Sequence, residues 1–299
     1  MTNDQQPVTT TMPLDPKFFA TLLVSCPDRR GLVAGLAQFL TGHGANILHA
    51  EQHCDATTNL FFQRMQFDMT EMYSDRVGLE NGLRELAARF EMTWKISYGD
   101  YVPRMAIFVS KFEHCLYDLL LRQRARELRC EIPLILSNHD DLACIEKQFG
   151  IPFVCIPVSA ENKAQIEDQQ MRLLRENRID VIVLARYMQV LSQSFVQAYP
   201  ERIINIHHSF LPAFAGGKPY HQALEHGVKL IGATSHYVTS VLDEGPIIEQ
   251  DVVRVTHRDS LDDLVRKGRD VEKQVLARAV RAHLEQRVVV CGKKTIVFS

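Results

Sequence analysis

The residues best equipped for chemistry lie between positions 205 and 251. Asn205 and His207 alternate with isoleucine, and Thr234 and His236 repeat that spacing further along the chain. Asp243 follows in the segment Leu-Asp-Glu-Gly-Pro. An amide, imidazoles and a carboxylate can together polarise a carbonyl, orient a nucleophile and move protons. The sequence therefore predicts that a reaction is centred on this segment.

Each of these residues also has a structural interpretation. Strand alternation places Asn205 and His207 on one face, yet a lone polar residue at a strand end usually serves only to pair with a neighbour. Turn chemistry alone accounts for Asp243, and His221 and His236 are as compatible with a structural role as with shaping a pocket. The joint occurrence of all these groups favours catalysis.

Two other chemistries fit this region poorly. The histidines lack the usual spacing of zinc ligands and no cysteine accompanies them; they are His207, His208, His221, His226 and His236. A pair of Ser209 and His207 would suit a serine hydrolase, but the GxSxG nucleophile turn is missing from the sequence. We therefore predict neither a metal site nor a serine nucleophile.

Composition excludes several classes of protein. With 299 residues, 46% hydrophobic and 23% charged, the chain reads as a globular protein of two domains. A net charge of −2 provides no basic field for nucleic acid or an anionic membrane. Seven scattered cysteines without a CxxC pair indicate free thiols and a reducing compartment. Neither a signal peptide nor a membrane span is expected, which favours the cytoplasm.

The N-terminal third reads as a small separate domain. Residues 1–15 are predicted to be a disordered tail, and 16–98 follow the ferredoxin-like order βαββαβ. A turn runs from Asp28 through Arg30 and Gly31, and Gly44-Ala-Asn-Ile opens the second strand. These motifs resemble the ACT domain, a module that commonly pairs and binds amino acids. The resemblance implies a homo-oligomer and an amino-acid effector bound by Asp28, Arg30, Gly31 and Asn46. Alternatively, Asp28 only caps a helix and the glycines only make turns.

The rest of the chain alternates strands with helices. Residues 99–104 are predicted to be a linker, and 105–299 a doubly wound, mostly parallel α/β sheet of Rossmann type. Such sheets bind ligands at the carboxyl ends of their strands, where strands at 203–206 and 230–238 would place the candidate residues. A helix at 114–128 carries arginines that read as a solvated face: Arg122, Arg124, Arg126 and Arg129. The local pattern alone predicts that positions 188–191 form the first turns of a packed helix.

The motifs of this second domain resemble the formyltetrahydrofolate-dependent formyltransferase and hydrolase superfamily over residues 105–285. The matching residues are Asn205, His207, Ser209, Leu211, Pro212, Asp243, Gly245, Pro246, Ile247 and Ile248. The resemblance implies a formyltransferase domain with Asn205, His207 and Asp243 as catalytic residues. It also implies a folate loop, held largely through backbone groups, at Arg186, Tyr187 and Met188. Ser209, His221, Thr234 and His236 would complete the substrate contacts.

One departure from that pattern bears on the acceptor of the formyl group. Members that formylate a phosphorylated amine carry a glycine-rich phosphate loop after the first strand, because glycine allows close backbone approach. Here the loop at 110–115 has no glycine and places a carboxylate, Glu113, where an anion would sit. Water is then the expected nucleophile, and an ACT module ahead of the catalytic domain is the arrangement of the hydrolase members.

The expected reaction is hydrolysis of 10-formyltetrahydrofolate to tetrahydrofolate and formate. Asn205 and protonated His207 would stabilise the oxyanion, and Asp243 would hold water, accept its proton and keep His207 charged. The folate is the substrate and no cofactor is expected; the formate would balance one-carbon pools and supply purine synthesis. The alternatives are transfer to an unphosphorylated amine, such as a sugar amine, and an inactive folate-binding or amino-acid-sensing protein.

Overall fold

The computed structural model describes residues 15–159, 161–212 and 219–299. The chain divides into two compact units, Met1–Tyr101 and Val102–Ser299. The division falls inside the segment that the sequence marks as a linker. Of the predicted tail, residues 1–14 lie outside the described residues, as do residues 213–218 of the segment between the catalytic motifs.

The first unit is a four-stranded antiparallel sheet with two helices. Its elements are β1 Phe19–Pro27, α1 Leu32–Gly42, β2 Asn46–Asp55, β3 Leu60–Asp68, α2 Arg76–Phe90 and β4 Thr93–Tyr98. The strand order is β2-β3-β1-β4. Alternate residues of β1, including Leu22 and Val24, pack with Leu36 of α1 and Leu83 of α2 in one buried cluster. This order of elements confirms the predicted ferredoxin-like fold.

The second unit is built on a seven-stranded sheet in the order β11-β10-β9-β8-β5-β6-β7. Its strands are β5 Arg104–Val109, β6 Glu131–Ser137, β7 Phe153–Cys155, β8 Val181–Ala185, β9 Ile203–His207, β10 Leu230–Tyr237 and β11 Ile247–Arg254. Its helices are α3 His114–Arg124, α4 Cys144–Phe149, α5 Lys163–Glu176, α6 Gln193–Ala198, α7 Pro219–Glu225 and α8 Leu261–Leu284. A terminal hairpin, β12 Val288–Cys291 and β13 Lys294–Val297, follows.

Helices cover both faces of this sheet. Met105, Ile107 and Val109 of β5 pack in a buried cluster with residues of α3 and α8. Ala106 and Phe108, which point to the opposite face, pack in a second cluster with residues of α5 and α6. Strands β5 to β9 are parallel, so the predicted doubly wound, mostly parallel fold is confirmed.

Three sequence-based predictions about this unit are wrong in detail. β10 runs antiparallel to β9 rather than parallel, so its own carboxyl end points the other way. Residues 188–192 form a loop, and α6 begins only at Gln193 after Ser192 accepts from the Phe195 N–H at 3.2 Å. Helix α3 ends at Arg124 instead of 128, because Arg126 adopts the left-handed conformation with φ 62°.

Two further predictions concern the cysteines, expected to be free thiols, and the helices, of which none is expected to span a membrane. Among the described residues all seven cysteines are free thiols, and Cys26, Cys115 and Cys130 are buried. In the same part of the chain, every helix is too short or too polar to cross a membrane.

Gly44, between α1 and β2, occupies a position that requires glycine. Its φ is +82°, and a Cβ there would lie 2.8 Å from the Glu71 carbonyl oxygen. Gly31 has φ +90° but would have nothing within 4 Å of its Cβ. The two glycines therefore share the left-handed backbone and differ in the space around it.

We expect Gly44→Ala to lower the unfolding free energy of the first unit more than Gly31→Ala. Both variants incur the left-handed penalty of about 1–2 kcal/mol, and only Gly44→Ala adds a collision with backbone. Trp94, the single tryptophan, packs against the core of this unit. Urea unfolding followed by tryptophan fluorescence measures the difference; equal losses would contradict the steric explanation.

Candidate active site

Four of the predicted residues converge where β9 meets β10. The antiparallel register sets His236 opposite Asn205 and Thr234 opposite His207. Asn205 Nδ2 lies 3.2 Å from His236 Nε2. Asp243 reaches in from the loop after β10, with Oδ2 3.3 Å from His207 Nδ1 and Oδ1 3.7 Å from His236 Nε2. An amide, two imidazoles and a carboxylate thus form one cluster, here called the reaction cluster.

The backbone determines the tautomer of His236 and, through it, the orientation of Asn205. His236 Nδ1 lies 2.9 Å from the Tyr237 carbonyl oxygen, which can only accept, so Nδ1 carries a proton. With the proton on Nδ1, Nε2 can accept from the Asn205 amide nitrogen. The 3.7 Å separation from Asp243 is too long for a hydrogen bond. One N–H of Asn205 is held by His236, and the second can donate to a substrate oxygen.

A tight loop delivers Asp243 to the cluster. Asp243 has φ 55°, a conformation that Asp tolerates better than most residues. A Cβ on Gly245 would lie 1.6 Å from the Tyr237 carbonyl oxygen, so only glycine allows the loop to fold back this closely. The Tyr237 N–H donates to the Pro246 carbonyl at 2.9 Å and closes the loop. Backbone strain at such positions is often found at functional sites.

The electrostatics of the cluster centre on Asp243 and His207. The imidazole of His207, 3.3 Å away, and to a lesser extent that of His236, 3.7 Å away, hold the pKa of Asp243 well below its usual value, although partial burial opposes this. The carboxylate is therefore ionised throughout the neutral range. His207 is buried, and its Nε2 has no hydrogen-bond partner among the described residues. When the ring carries both protons, Nδ1–H faces Asp243 and Nε2–H is directed away from it.

Thr234 holds the segment after β9 in place. Its side chain is fully buried. Its hydroxyl donates to the Ser209 carbonyl at 2.9 Å and accepts from the Leu211 N–H at 3.0 Å and from Gln250 Nε2 at 2.9 Å. The hydroxyl of Thr234 is thus engaged within the protein, and its substrate contact stays a prediction. Ser209 itself is buried within this segment. The sequence did not point to Gln250 as a partner of Thr234.

The predicted folate loop lies at the carboxyl end of β8, and its side chains point in different directions. Tyr187 is buried, accepts from Gln170 Nε2 at 3.0 Å and packs edge-on against Phe108, so its side chain belongs to the core. Met188 is exposed, and its N–H donates to Ser110 Oγ at 3.0 Å. The Tyr187 ring is therefore occupied by core contacts, and the folate contact of its backbone stays a prediction.

Arg186 turns toward a buried carboxylate that the sequence did not reveal. Glu272 of α8 accepts from His114 Nε2 at 2.8 Å and from the Tyr220 hydroxyl at 2.7 Å. Arg186 Nε lies 3.5 Å from the same carboxylate. We call these four residues the Glu272 cluster. The sequence placed a carboxylate here at Glu113, which is exposed; the buried one comes from a distant helix whose apolar periodicity concealed it.

The Glu272 cluster suits an ion pair better than a metal. Its His114 and Glu272 lie with Cys115 within 4.8 Å of one another, which is compatible with cation ligation. However, the guanidinium of Arg186 would repel a cation, and burial raises the pKa of the Cys115 thiol well above its usual value. Burial disfavours the charge of Glu272, but the His114 hydrogen bond and the Arg186 charge together lower its pKa. The Glu272 carboxylate is therefore ionised, and the positive charge of Arg186 already compensates it.

The remaining candidates make none of the contacts described for these two clusters. His221 is exposed on α7. In the first unit, Asp28, Arg30, Gly31 and Asn46 are all exposed at the turn before α1 and the start of β2. Gly31, not Asp28, is the N-cap of α1, and it makes no side-chain cap. The alternative that Asp28 caps the helix is therefore wrong, whereas the left-handed φ of Gly31 and Gly44 supports their role in turns.

The comparison with known proteins identifies the family. A formyl transferase model matches residues 103–280, and an ACT domain model matches residues 20–78. The chain is 55% identical over 280 residues to the formyltetrahydrofolate deformylase of Synechocystis sp., covering 94% of this chain and 98% of that protein. It is 49% identical to the Bacillus subtilis deformylase over 93% of each chain. The chain belongs to the formyltetrahydrofolate deformylase family.

Solved structures of deformylases share the whole architecture. The deformylase of Pseudomonas syringae superposes with a TM-score of 0.92 at 47% identity, covering 94% of each chain. The glycinamide ribonucleotide transformylase 1 of Symbiobacterium toebii covers 66% of this chain and 95% of its own, with a TM-score of 0.60 at 30% identity. The likeness to transformylases is thus partial, whereas the likeness to deformylases spans nearly the full length.

In this deformylase-family chain, we expect Thr234→Val to reduce the unfolding free energy by at least about 1–3 kcal/mol, because it leaves buried backbone groups without a partner. Thr234→Ser keeps the hydroxyl and loses about 0.8 kcal/mol for the missing methyl group. Urea unfolding followed by circular dichroism compares the two variants. Equal stability of the two would contradict the role of the hydroxyl in holding the 209–211 segment.

His208 predicts a specific pH dependence of stability. Burial, with the charges of Arg186 and His207, lowers its pKa to about 4. Between that value and an unfolded pKa of about 6.5, only the unfolded chain binds the proton, so stability falls as pH falls. We expect wild type to lose about 1.4 kcal/mol per pH unit more than His208→Gln in this window. Parallel acid-limb slopes in urea unfolding would contradict the prediction.

Proposed function

We propose that this chain hydrolyses 10-formyltetrahydrofolate to tetrahydrofolate and formate. The deformylase names of its relatives support the substrate and the reaction. The observation that carries the proposal is the convergence of Asn205, His207 and Asp243, with His207 Nε2 buried and unpartnered among the described residues. Such a donor, beside an amide and an ionised carboxylate, fits an oxygen that gains charge during attack on a carbonyl.

The formyl C=O bond is the one bond of the substrate that must be strongly polarised. Its formyl group sits on an aryl nitrogen, whose lone pair is shared with the ring, so the carbonyl is more electrophilic than that of a peptide. In the proposed step, Asn205 Nδ2–H and His207 Nε2–H donate to the formyl oxygen as it becomes an oxyanion. His236 keeps the Asn205 amide in the donating orientation through the 3.2 Å contact. A fixed donor loses no reorganisation energy when the charge develops.

Asp243 acts on the water and on His207. Because its pKa is well below the usual value, it is a weak base toward free water and serves first as a hydrogen-bond acceptor that aims the oxygen. As the C–O bond forms, the attached water becomes acidic and its proton passes to the carboxylate. Return of a proton to the departing nitrogen breaks the C–N bond and releases tetrahydrofolate and formate. The route uses side chains and water, with no cofactor.

The folate itself is proposed to lie along the loop after β8. The backbone of Arg186, Tyr187 and Met188 would contact the pterin, and the exposed side chains of Met188 and Val190 offer apolar surface beside it. Ser209, His221 and His236 remain proposed contacts or pocket-shaping residues. We further propose that the ACT unit pairs into a homo-oligomer and binds an amino acid near Asp28, Arg30, Gly31 and Asn46, and that the enzyme works in the cytoplasm, supplying formate for purine synthesis.

The decisive experiment measures formate and tetrahydrofolate released from 10-formyltetrahydrofolate with no amine added. Stoichiometric release of both supports a hydrolase. Release that begins only when an unphosphorylated amine is supplied would favour transfer instead, and tight folate binding without turnover would favour a sensor. The sensor alternative is less consistent with a chain that holds all three proposed catalytic groups.

We expect Asn205→Ala and His207→Ala each to reduce turnover by about 100- to 1,000-fold, the typical loss of one oxyanion donor. Asp243→Asn should lose more than either, since it removes the water acceptor and the partner of His207. Asp270→Asn on the exposed face of α8 is the matched control. Steady-state formate release measures all four, and near-normal turnover in any of the three variants would remove that residue from the mechanism.

A further inference from the structure

The Glu272 cluster is a buried charged site outside the reaction cluster. Glu272 is 1% exposed, and Arg186 is more than nine-tenths buried. Both lie behind the carboxyl ends of β5 and β8, where Arg186 follows β8 directly and His114 begins α3. Burying charges is costly unless they are paired. A cluster of this kind, which the proposed mechanism does not require for proton transfer, therefore calls for another role.

Three donor side chains surround the carboxylate of Glu272. Oε2 of Glu272 accepts from His114 and Oε1 accepts from Tyr220. Arg186 Nε is left 3.5 Å away and makes no hydrogen bond among the described residues. The guanidinium lies instead over the Phe112 ring, 5.1 Å from its centroid. The donors are thus arranged around an anion, and Glu272 supplies that anion from within the chain.

The backbone and the packing hold this pair in place. Arg186 has φ 62°, a conformation that costs energy for a residue with a Cβ. On α8, a Cβ at Gly268 would lie 2.0 Å from the Tyr220 hydroxyl oxygen. Glycine at this position lets the phenol cross the helix and reach Glu272 one turn later. Two costly local features, a strained arginine and a helical glycine, therefore serve the same buried ion pair.

The ion pair also lies next to the reaction cluster. The His208 ring stands between them, with its centroid 5.1 Å from that of His207 and 6.2 Å from that of Tyr220. A second nucleophile attacking the formyl carbon would have to approach past these rings or from the opposite side. The Arg186–Glu272 pair is joined to Tyr220 by the hydroxyl contact with Glu272, so it lies on the Tyr220 side of the His208 ring, next to the reaction cluster.

We propose that the Arg186–Glu272 ion pair fills the place beside the reaction cluster that an amine acceptor would need, and thereby restricts the nucleophile to water. This inference rests on the proposed hydrolysis. With the pair removed, an amine could attack the formyl carbon. The new C–N bond would form as the bond to the folate nitrogen breaks, and the amine proton would end on that nitrogen.

The test exploits the positive φ of Arg186, which glycine adopts without strain. Arg186→Gly opens the space without distorting the backbone, and Arg178→Gly is the matched control, since Arg178 is exposed after α5 with φ 51°. Each variant and the wild type receive 10-formyltetrahydrofolate and glycinamide, a small primary amine. Formate, tetrahydrofolate and N-formylglycinamide are then quantified.

Wild type and Arg178→Gly are expected to release formate in equal amounts with tetrahydrofolate. Arg186→Gly is expected to form N-formylglycinamide, so that its ratio of formate to tetrahydrofolate falls in proportion to the amine supplied. An Arg186→Gly protein that turns over folate to formate alone, at every glycinamide concentration, would overturn the proposal. Absence of formate from the wild type would instead reject the hydrolase function.

A second variant tests the ion pair without folate. Glu272→Gln keeps the shape of the side chain and removes the charge, which leaves Arg186 and the His114 donor without their anion. We expect inorganic phosphate to raise the melting temperature of Glu272→Gln and to leave that of the wild type unchanged. An equal response of the two proteins to phosphate would overturn the role of Glu272 as the internal anion.

Discussion

The antiparallel pairing of β9 with β10 is the constraint on which the site depends. It sets His236 against Asn205 and Thr234 against His207, so one register supplies both the proposed catalytic groups and their supports. A shift by one residue would turn every one of these side chains to the other face. The register is secured from both sides, since β9 also pairs with β8 and β10 with β11. The strand pair therefore acts as the rigid frame that holds the amide and imidazoles.

The strained backbone conformations lie in the loops around this strand pair. Asp243 and Arg186 both adopt positive φ, and Gly245 passes so close to the Tyr237 carbonyl that no Cβ would fit. The cost of these conformations is offset by the buried sheet beneath them. Their common effect is to direct one carboxylate into the reaction cluster and one guanidinium away from it. Loop strain and sheet rigidity are thus complementary parts of one arrangement.

The carboxylates of Asp243 and Glu272 belong to two separate clusters of polar side chains. Asp243 faces the histidines of the reaction cluster, whereas Glu272 neutralises the side chains around Arg186. Between them His208 stays neutral, because burial and the two nearby cations oppose its protonation. The separation leaves Asp243 as the carboxylate available to water. It also gives α8, which otherwise only covers the sheet, a part in deciding what reaches the formyl carbon.

The sequence by itself determined the two folds and the family, and it pointed to Asn205, His207 and Asp243, which the structure brings together in one cluster. Period-2 and helical patterns are local, and the motif from Asn205 to Ile248 is continuous enough to be read without contacts. Even the placement of Asn205 and His207 on the same face of β9 followed from strand alternation alone. Gly31 and Gly44 were likewise interpretable as turn residues, since positive φ leaves a compositional signal.

Only the tertiary structure decided which polar groups support the site and which belong to the core. Tyr187 and Thr234 look like ligand contacts in the motif, yet the partners that occupy them, Gln170 and the 209–211 backbone, are remote in sequence. The direction of β10 and the arrival of Glu272 beside His114 depend on how the chain returns to the sheet. Pairings between distant residues leave no local pattern, because each partner satisfies its own helix or strand equally well without the other.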